Sequence, residues 1–345
     1  MHALVTGATG FLGQYIVEQL LARGGRVRAL CRQASPQLET LGAETALGDI
    51  RDPAAVLNAC RGVDTVFHVA GVAGIWGPWK HFYETNTVGT RHVIDACRQQ
   101  GVARLVYTSS PSVTFAGGDQ RNIDERAPYP QRWLCHYPHS KALAEQAVLA
   151  ASGSDGLTAC ALRPHLIWGP RDRQLVPRLI ERARRGRLMR VGRGENLIDM
   201  VYVENAAAAH LLAADALAPG SPIAGKAYFI TQGEPVNCWQ WIDQLLALAG
   251  LPPVRRALSY RTAWLAGAAL EGAFGLLRLP GEPPMTRFLA AQLGRDHYFD
   301  IMRAQRDFGY HAQVPTEVGM QRLSLYLQGS CAAFDGKPPR ELNPN

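Results

Sequence analysis

Tyr137-Pro138-His139-Ser140-Lys141 sets a phenol and an ammonium four residues apart, a spacing that puts both on one face of a helix. Pro138 is tolerated in a first helical turn, so the helix is expected to begin close to Tyr137. A free phenol ionises near pH 10 and is a poor proton shuttle at neutral pH, to about the extent that its anion lacks stabilisation. A neighbouring cation supplies that stabilisation. Ser110 closes a Ser-Ser pair just after the run Arg104–Thr108, where its hydroxyl can hold a carbonyl oxygen while Tyr137 donates the proton. Thr108 and Ser109 compete with it for that place. Together these groups suit interconversion of a secondary alcohol and a ketone, which also needs a hydride carrier.

A place for the carrier stands at the N-terminus. Thr6-Gly7-Ala8-Thr9-Gly10-Phe11-Leu12-Gly13 follows a short apolar run and opens into a stretch with helical apolar spacing. In that context Gly7 permits the tight turn, Gly10 lets the backbone approach a pyrophosphate and Gly13 lets the helix lie close on the sheet. The helix N-terminus adds N–H groups and the positive dipole end. An ordinary Gly-rich turn is the alternative. NAD-preferring sites carry an acid at the end of the second strand, but Arg28-Ala29-Leu30-Cys31-Arg32-Gln33 has none. Arg32 offers a fork suited to a 2′-phosphate, so NADP(H) is the preferred carrier and NAD(H) the other choice, unless Arg32 is only a solvated strand end.

The elements that must position these groups read as βαβ units around a parallel sheet. Strands are expected at Ala3–Val5, Val27–Cys31, Thr45–Leu47, Thr65–Val69, Arg104–Thr108 and Thr158–Leu162. Helices are expected over Leu12–Arg23, Ala54–Arg61, Thr87–Gln99 and Tyr137–Ala151. After Arg163-Pro164 longer helical runs take over: Leu175–Arg185, Val203–Leu217 and Trp239–Ala249. The fold class is therefore α/β, a Rossmann-type doubly wound parallel sheet. Residues 1–165 are mainly the dinucleotide-binding domain. Residues 166–334 are mainly a smaller substrate domain with segments returning to the sheet, and 335–345 form a loose tail.

Composition narrows the classes. A chain of 345 residues, 47% hydrophobic, can bury a substantial core, which argues against disorder. Its seven cysteines show no CxxC pair or Cys/His ligand spacing, against a zinc site or disulfide framework and in keeping with the cytoplasm. The chain opens without a signal-peptide pattern. The formal charge of +7 is spread among acids except in Arg178–Arg193, either an anion-binding face or a solvated helix end. No nucleic-acid partner is expected. Thr262–Leu279 is nearly long and apolar enough to span a membrane, but Glu271 lies mid-run, which favours a packed or interfacial helix with peripheral membrane contact at most.

With these residues in hand, the chain resembles the extended short-chain dehydrogenase/reductase superfamily over nearly its full length. The marks are the glycine loop, Gly48-Asp49-Ile50, His68-Val69-Ala70-Gly71, Asn86-Thr87-Val88-Gly89-Thr90, Val106-Tyr107-Thr108-Ser109-Ser110, Tyr137 to Lys141 and Arg163-Pro164. The resemblance implies that Ser110, Tyr137, Lys141 and Asn86 form the catalytic group. It assigns Asp49 with Ile50 to the adenine, His68, Val69 and Ala70 to the cofactor's middle, and Pro164 to the nicotinamide side. Tyr137 and Lys141 also touch the cofactor. As single residues, Asp49 can equally be a turn residue and Asn86 a helix cap.

Within the superfamily, Ser110-Pro111-Ser112-Val113-Thr114-Phe115, Leu162 to Pro170 and Leu279 to Arg287 resemble the 3β-hydroxysteroid dehydrogenase group. That resemblance implies a homodimer and a bulky hydrophobic substrate bearing a carboxylate beside the reacting carbon. Reduction of a 2-alkyl-3-oxoalkanoate leads. Oxidation of a 3β-hydroxysteroid or decarboxylating oxidation of a sterol-4-carboxylate follows, and a silent NADP-binding regulatory module is the non-enzyme alternative. His165 and Trp168 are candidate pocket residues, His165 equally a structural histidine. Trp76, Trp79 and His81 are expected to pack.

Overall fold

Strand side chains alternate between two faces, and the first-half strands are apolar on both, as a parallel sheet covered by helices on each side requires. In the computed structural model, which describes residues 1–334, seven runs form one sheet: β1 (His2–Thr6), β2 (Arg26–Cys31), β3 (Glu44–Leu47), β4 (Thr65–His68), β5 (Arg104–Thr108), β6 (Thr158–Pro164) and β7 (Ala227–Ile230). The order is β3-β2-β1-β4-β5-β6-β7 with every neighbour parallel. Chain direction across the sheet reverses between β1 and β4, where open α/β sheets leave a crevice for ligands. The expected tail at 335–345 lies outside the described residues.

Alternation is visible strand by strand. Val5, Phe67, Val106 and Cys160 enter one core, while Leu4, Val66, Leu105 and Ala159 enter the other. Helices Pro53–Ala59, Gly89–Gln100 and His136–Ala151 cover the second face through Val56, Val93, Cys97, Ala144 and Val148. Phe11–Ala22 and Val203–Ala216 cover the first through Ile16, Val17, Ala207 and Leu211.

The first core runs on into the second half of the chain, where Trp168, Tyr202, Trp239 and Trp241 are buried. A four-stranded sheet there joins Val236–Asn237, Leu197–Ile198, His297–Phe299 and Gln120–Ile123. The halves exchange elements: the second lends β7 and Val203–Ala216 to the large sheet, and the first lends Gln120–Ile123 to the small one. β7 and the two-residue strands were not among the runs read from sequence, since so short a strand has no period to show.

The apolar helix spans Tyr260–Leu276, ending before Pro280. Ser259 caps it, its Oγ accepting the Thr262 N–H at 3.1 Å. The mid-run charge has a local purpose: Glu271 accepts the Arg287 backbone N–H at 2.7 Å and its Nε–H at 2.6 Å, fixing the next helix, Arg287–Gly294. Among the described residues no helix is long and apolar enough to cross a membrane.

One buried ion pair ties the sheet to the helix that carries Tyr137. Arg163 donates from Nε and Nη2 to Glu145 at 3.0 and 2.6 Å, and the Tyr129 hydroxyl donates to the same carboxylate at 2.6 Å. Both charged side chains are almost wholly out of solvent. Removing one partner strands the other, so Glu145→Ala is expected to cost about 3–5 kcal/mol, read as a lower denaturant midpoint, and Glu145→Gln with Arg163→Met is expected to recover much of it.

Candidate active site

Gly7 turns the chain at φ +70°, and a Cβ there would lie 2.7 Å from the Ala70 nitrogen. A Cβ on Gly13 would stand 2.2 Å from the Gly7 carbonyl oxygen. These two glycines let the loops after β1 and β4 touch and the Phe11–Ala22 helix lie on the turn. Gly10 and Thr9 are exposed, Phe11 and Leu12 start the helix, and no side chain caps it. Its first N–H groups are therefore available to an anion.

A continuous set of hydrogen bonds leads from this turn to Tyr137. The Asn86 carbonyl only accepts, so the Thr90 hydroxyl at 2.6 Å donates to it and accepts from His68 Nε2 at 2.9 Å. That leaves His68 Nδ1 as acceptor for the Thr6 hydroxyl at 2.7 Å, and Thr6 Oγ1 accepts the Ala70 N–H at 3.2 Å. Asn86 sits in a π-turn, Tyr83–Val88, ahead of the Gly89–Gln100 helix, where a single helix from Thr87 was expected. Its Oδ1 accepts the Val72 N–H at 2.7 Å, and its Nδ2 donates to the Val72 carbonyl and the Ser140 hydroxyl, both at 3.0 Å. Ser140 donates onward to the Tyr137 carbonyl at 2.8 Å. His68 is wholly buried, and burial pushes its imidazole down to about 3, so it stays neutral as the chain of bonds demands.

Ser110 leaves β5 in an extended conformation and caps the turn Pro111–Thr114, its Oγ accepting the Ser112 N–H at 3.3 Å and lying 2.8 Å from Ser112 Oγ. Burial raises the Tyr137 phenol, and a hydrogen bond with Ser110 pulls it back. The phenol is therefore loaded with its proton at neutral pH. Lys141 is buried over the Tyr107 ring, 4.2 Å from its centroid, and donates from Nζ to the Thr108 carbonyl at 2.6 Å. Burial brings it down to about 7, against the pull of Glu145. It makes no ion pair among the described residues. An ammonium in that position is poised to gain from an anionic or hydroxylated ligand.

On the β2 side, Arg32 is exposed directly after the strand. Asp49 is held below the usual carboxylate range by Arg51, which donates from Nε at 3.1 Å and Nη2 at 2.8 Å. Ile50 is buried against Gly89, where a Cβ would meet its Cδ1 at 2.8 Å. Val69 and Ala70 are half-buried beside the glycine turn. The bare turn, the uncapped helix start and the unpaired Lys141 ammonium fit a dinucleotide.

Ser110 and Tyr137 open into a cavity of about 350 Å³, a size usual for small-molecule sites, walled by Leu175, Leu179, Trp241, Ile242 and Phe288 among others. Pro164 and His165 line it, whereas Trp168 is wholly buried against Tyr202 and Trp241 and does not. Arg178 and Arg182 from the basic run also reach it, sharing Glu282. Trp79 stacks on Tyr83 and packs on His139, Trp76 meets Phe274 and His81 meets Phe82. Ser112, Ser140, Thr90 and His297 escaped the sequence reading. Ser112, Ser140 and Thr90 lie inside motifs noted for other residues, and Thr90 is four after Asn86. His297 carries no local signal, since only the small sheet brings it to the cavity.

Comparison with known proteins agrees with this geometry. The 3-beta hydroxysteroid dehydrogenase/isomerase family matches residues 4–258. A 2-alkyl-3-oxoalkanoate reductase of Stenotrophomonas maltophilia (strain K279a) is 50% identical over 326 residues, covering 94% of this chain and 98% of that protein. The decarboxylating sterol-4-alpha-carboxylate 3-dehydrogenase of Homo sapiens is 37% identical, covering 92% and 86%. The structure of MoeE5 in complex with UDP-glucose and NAD superposes with a TM-score of 0.74 at 26% identity, over 96% of this chain and all of that one.

Lys141 supplies a test that needs no substrate. Its folded value of about 7 lies below its ordinary one, so above that pH the unfolded chain binds the extra proton and raising the pH favours folding. The stability of the wild type relative to Lys141→Met is expected to rise by up to about 1.4 kcal/mol per pH unit between about pH 7 and 10, followed by denaturant unfolding. A flat difference would mean that water reaches the ammonium.

Proposed function

The chain belongs to the 3-beta hydroxysteroid dehydrogenase/isomerase family, whose members include extended short-chain oxidoreductases, and from that premise we propose that it reduces 2-alkyl-3-oxoalkanoates to the 3-hydroxy acids with NADPH. The observation that carries this reading is an apolar cavity with Ser110 and Tyr137 among its lining residues. The relative at 50% identity supports it from outside.

In this reading the N–H groups at the start of Phe11–Ala22, with Gly7, Thr9, Gly10 and Gly13, hold the pyrophosphate. Asp49 and Ile50 lie toward the adenine, Val69 and Ala70 border the middle, and Lys141 with Tyr137 and Pro164 flank the nicotinamide ribose and ring. The bound nicotinamide supplies the hydride. Ser110 orients the ketone oxygen, Tyr137 gives it a proton, and Lys141 helps the phenolate recover one. Asn86 holds the Val72 backbone and, through Ser140, the start of the Tyr137 helix, so it acts by position. Proton donation from a placed side chain contributes typically about 10²–10⁴-fold.

Arg32 is the group that favours NADPH, as its fork suits a phosphate and no acid competes at the strand end. Sterol-4-carboxylate oxidation is the second reading, favoured by the human relative. The exposed Leu265, Leu276 and Leu277, between Arg261 and Arg278, suit peripheral contact with a lipid surface. A homodimer in the cytoplasm completes the proposal.

Two measurements check it. NADPH consumption driven by a 2-alkyl-3-oxo acid is expected to fall about 10²–10⁴-fold in Tyr137→Phe while NADPH binding persists. Arg32→Ser is expected to lower the NADPH over NADH preference by about tenfold or more, the worth of one charged hydrogen bond. NADH-linked sterol oxidation with no keto-acid reduction would decide for the second reading.

A further inference from the structure

The carboxylate of a 2-alkyl-3-oxo acid is two bonds from the carbon that accepts hydride. Whatever holds it must therefore stand beside the hydroxyls that hold the ketone oxygen. Ser110 follows β5 and His165 follows β6, and these strands are neighbours, with Thr108 opposite Leu162 and the Ser109 N–H donated to the Leu162 carbonyl at 2.6 Å. Continuing the register puts Pro164 level with Ser110 and His165 one residue beyond.

His165 and His297 line the cavity that Ser110 and Tyr137 line. Their rings meet edge to face with centroids 5.0 Å apart. They are 7% and 2% exposed, and Nδ1 of each lacks a hydrogen-bond partner. An unpartnered buried polar atom is costly, and these two lie just behind one wall of the cavity, so that a small turn of either ring would let a ligand there complete it. His297 Nε2 donates to the Gln292 carbonyl at 2.7 Å. Its Nδ1 is then a lone pair in the neutral ring and becomes a donor by taking a proton.

We propose that His165 and His297 form the subsite for the substrate's carboxylate, the anion bringing a proton onto the pair and accepting N–H bonds from it. This rests on the β-keto acid reading above.

The titratable groups around the pair are few. Asp199 donates its backbone N–H to the His297 carbonyl at 3.0 Å and accepts the Phe299 N–H on Oδ2 at 2.7 Å, while Asp296 and Asp119 act on His297 through their charge. Burial lowers both imidazoles, and His165 further feels His297; burial also lifts the Asp199 carboxyl to about 7. Without an anion both rings are therefore neutral at neutral pH, and a bound carboxylate reverses that for one of them. Arg178 and Arg182 are the rival anchor. They are partly exposed and already share Glu282, so part of their charge is committed before an anion arrives.

The test uses the full chain loaded with NADPH and 2-hexyldecanoic acid, which has the branched carboxylate but no ketone. Calorimetry in buffers of differing ionisation enthalpy is expected to show proton uptake on binding near pH 7.5, and His165→Asn and His297→Asn are each expected to weaken binding about tenfold or more. In turnover, His165→Asn is expected to lower kcat/KM for a 2-alkyl-3-oxo acid about tenfold or more while sparing its methyl ester. NADPH fluorescence titration reports that each variant is folded. Equal losses on acid and ester, binding without proton uptake, or a loss confined to Arg182→Gln would overturn the subsite and leave the reductase reading standing. Histidine-dependent proton uptake in a protein that reduces neither acid nor ester would sink that reading and keep the subsite.

Discussion

A neutral, wholly buried His68 is the constraint on which the rest of the site depends. Each of its ring nitrogens has a fixed role, acceptor from Thr6 and donor to Thr90. Because Thr90 and Ser140 each donate a hydrogen bond to a carbonyl, the direction of every bond between the glycine turn and the Tyr137 helix is determined. Two loops and one helix that meet only in three dimensions are thus held in register by polar contacts with no freedom to reverse. Protonating His68 would give it two donors, break the bond from Thr6 and bury an unpaired charge. Its displacement down to about 3 is the thermodynamic expression of that exclusion.

The same burial sets the protonation of Tyr137 and Lys141. Desolvation raises Tyr137 and lowers Lys141, so both lean to the neutral form before ligands arrive. A phenol held as an acid is the state that reduction of a ketone calls for. A lysine near about 7 sits close to the pH at which proton transfer in either direction costs least. Glu145 opposes the desolvation of Lys141, yet it is itself committed to Arg163 and Tyr129. Its carboxylate steadies the helix while leaving the ammonium without an ion pair.

Much of this was legible in the chain of residues. Six of the seven strands in the large sheet announce themselves as β-branched or apolar runs between turns, and the glycine spacing names its own geometry, since Gly7 and Gly13 stand where a Cβ would strike backbone. That Ser110 and Tyr137 meet at one cavity follows from chemistry and spacing. What stayed hidden depends on long-range contact. The four residues of β7, the strand Gln120–Ile123 and His297 have no period or motif that sets them apart. The π-turn at Asn86 reads as plain helix because its sequence suits one. Adjacency to His165 suggests the pocket for Trp168, but the chain turns between the two at Leu166, φ +42°, and the indole lies in the core against Tyr202.

The division of labour between the halves explains how one frame serves different substrates. The first half carries Ser110, Tyr137 and Lys141, and the elements that hold them are locked together by bonds that tolerate little change. The walls of the cavity come chiefly from the second half, from side chains such as Leu175, Ile242 and Phe288 that pack without directional bonds. Exchanging those walls leaves the His68 and Asn86 contacts untouched. A frame superposing on a UDP-glucose-binding protein can therefore carry an apolar cavity here. Within that cavity, selectivity falls to the few polar atoms that a greasy wall leaves unpaired, because there each hydrogen bond gained or lost is felt at nearly its full desolvated strength.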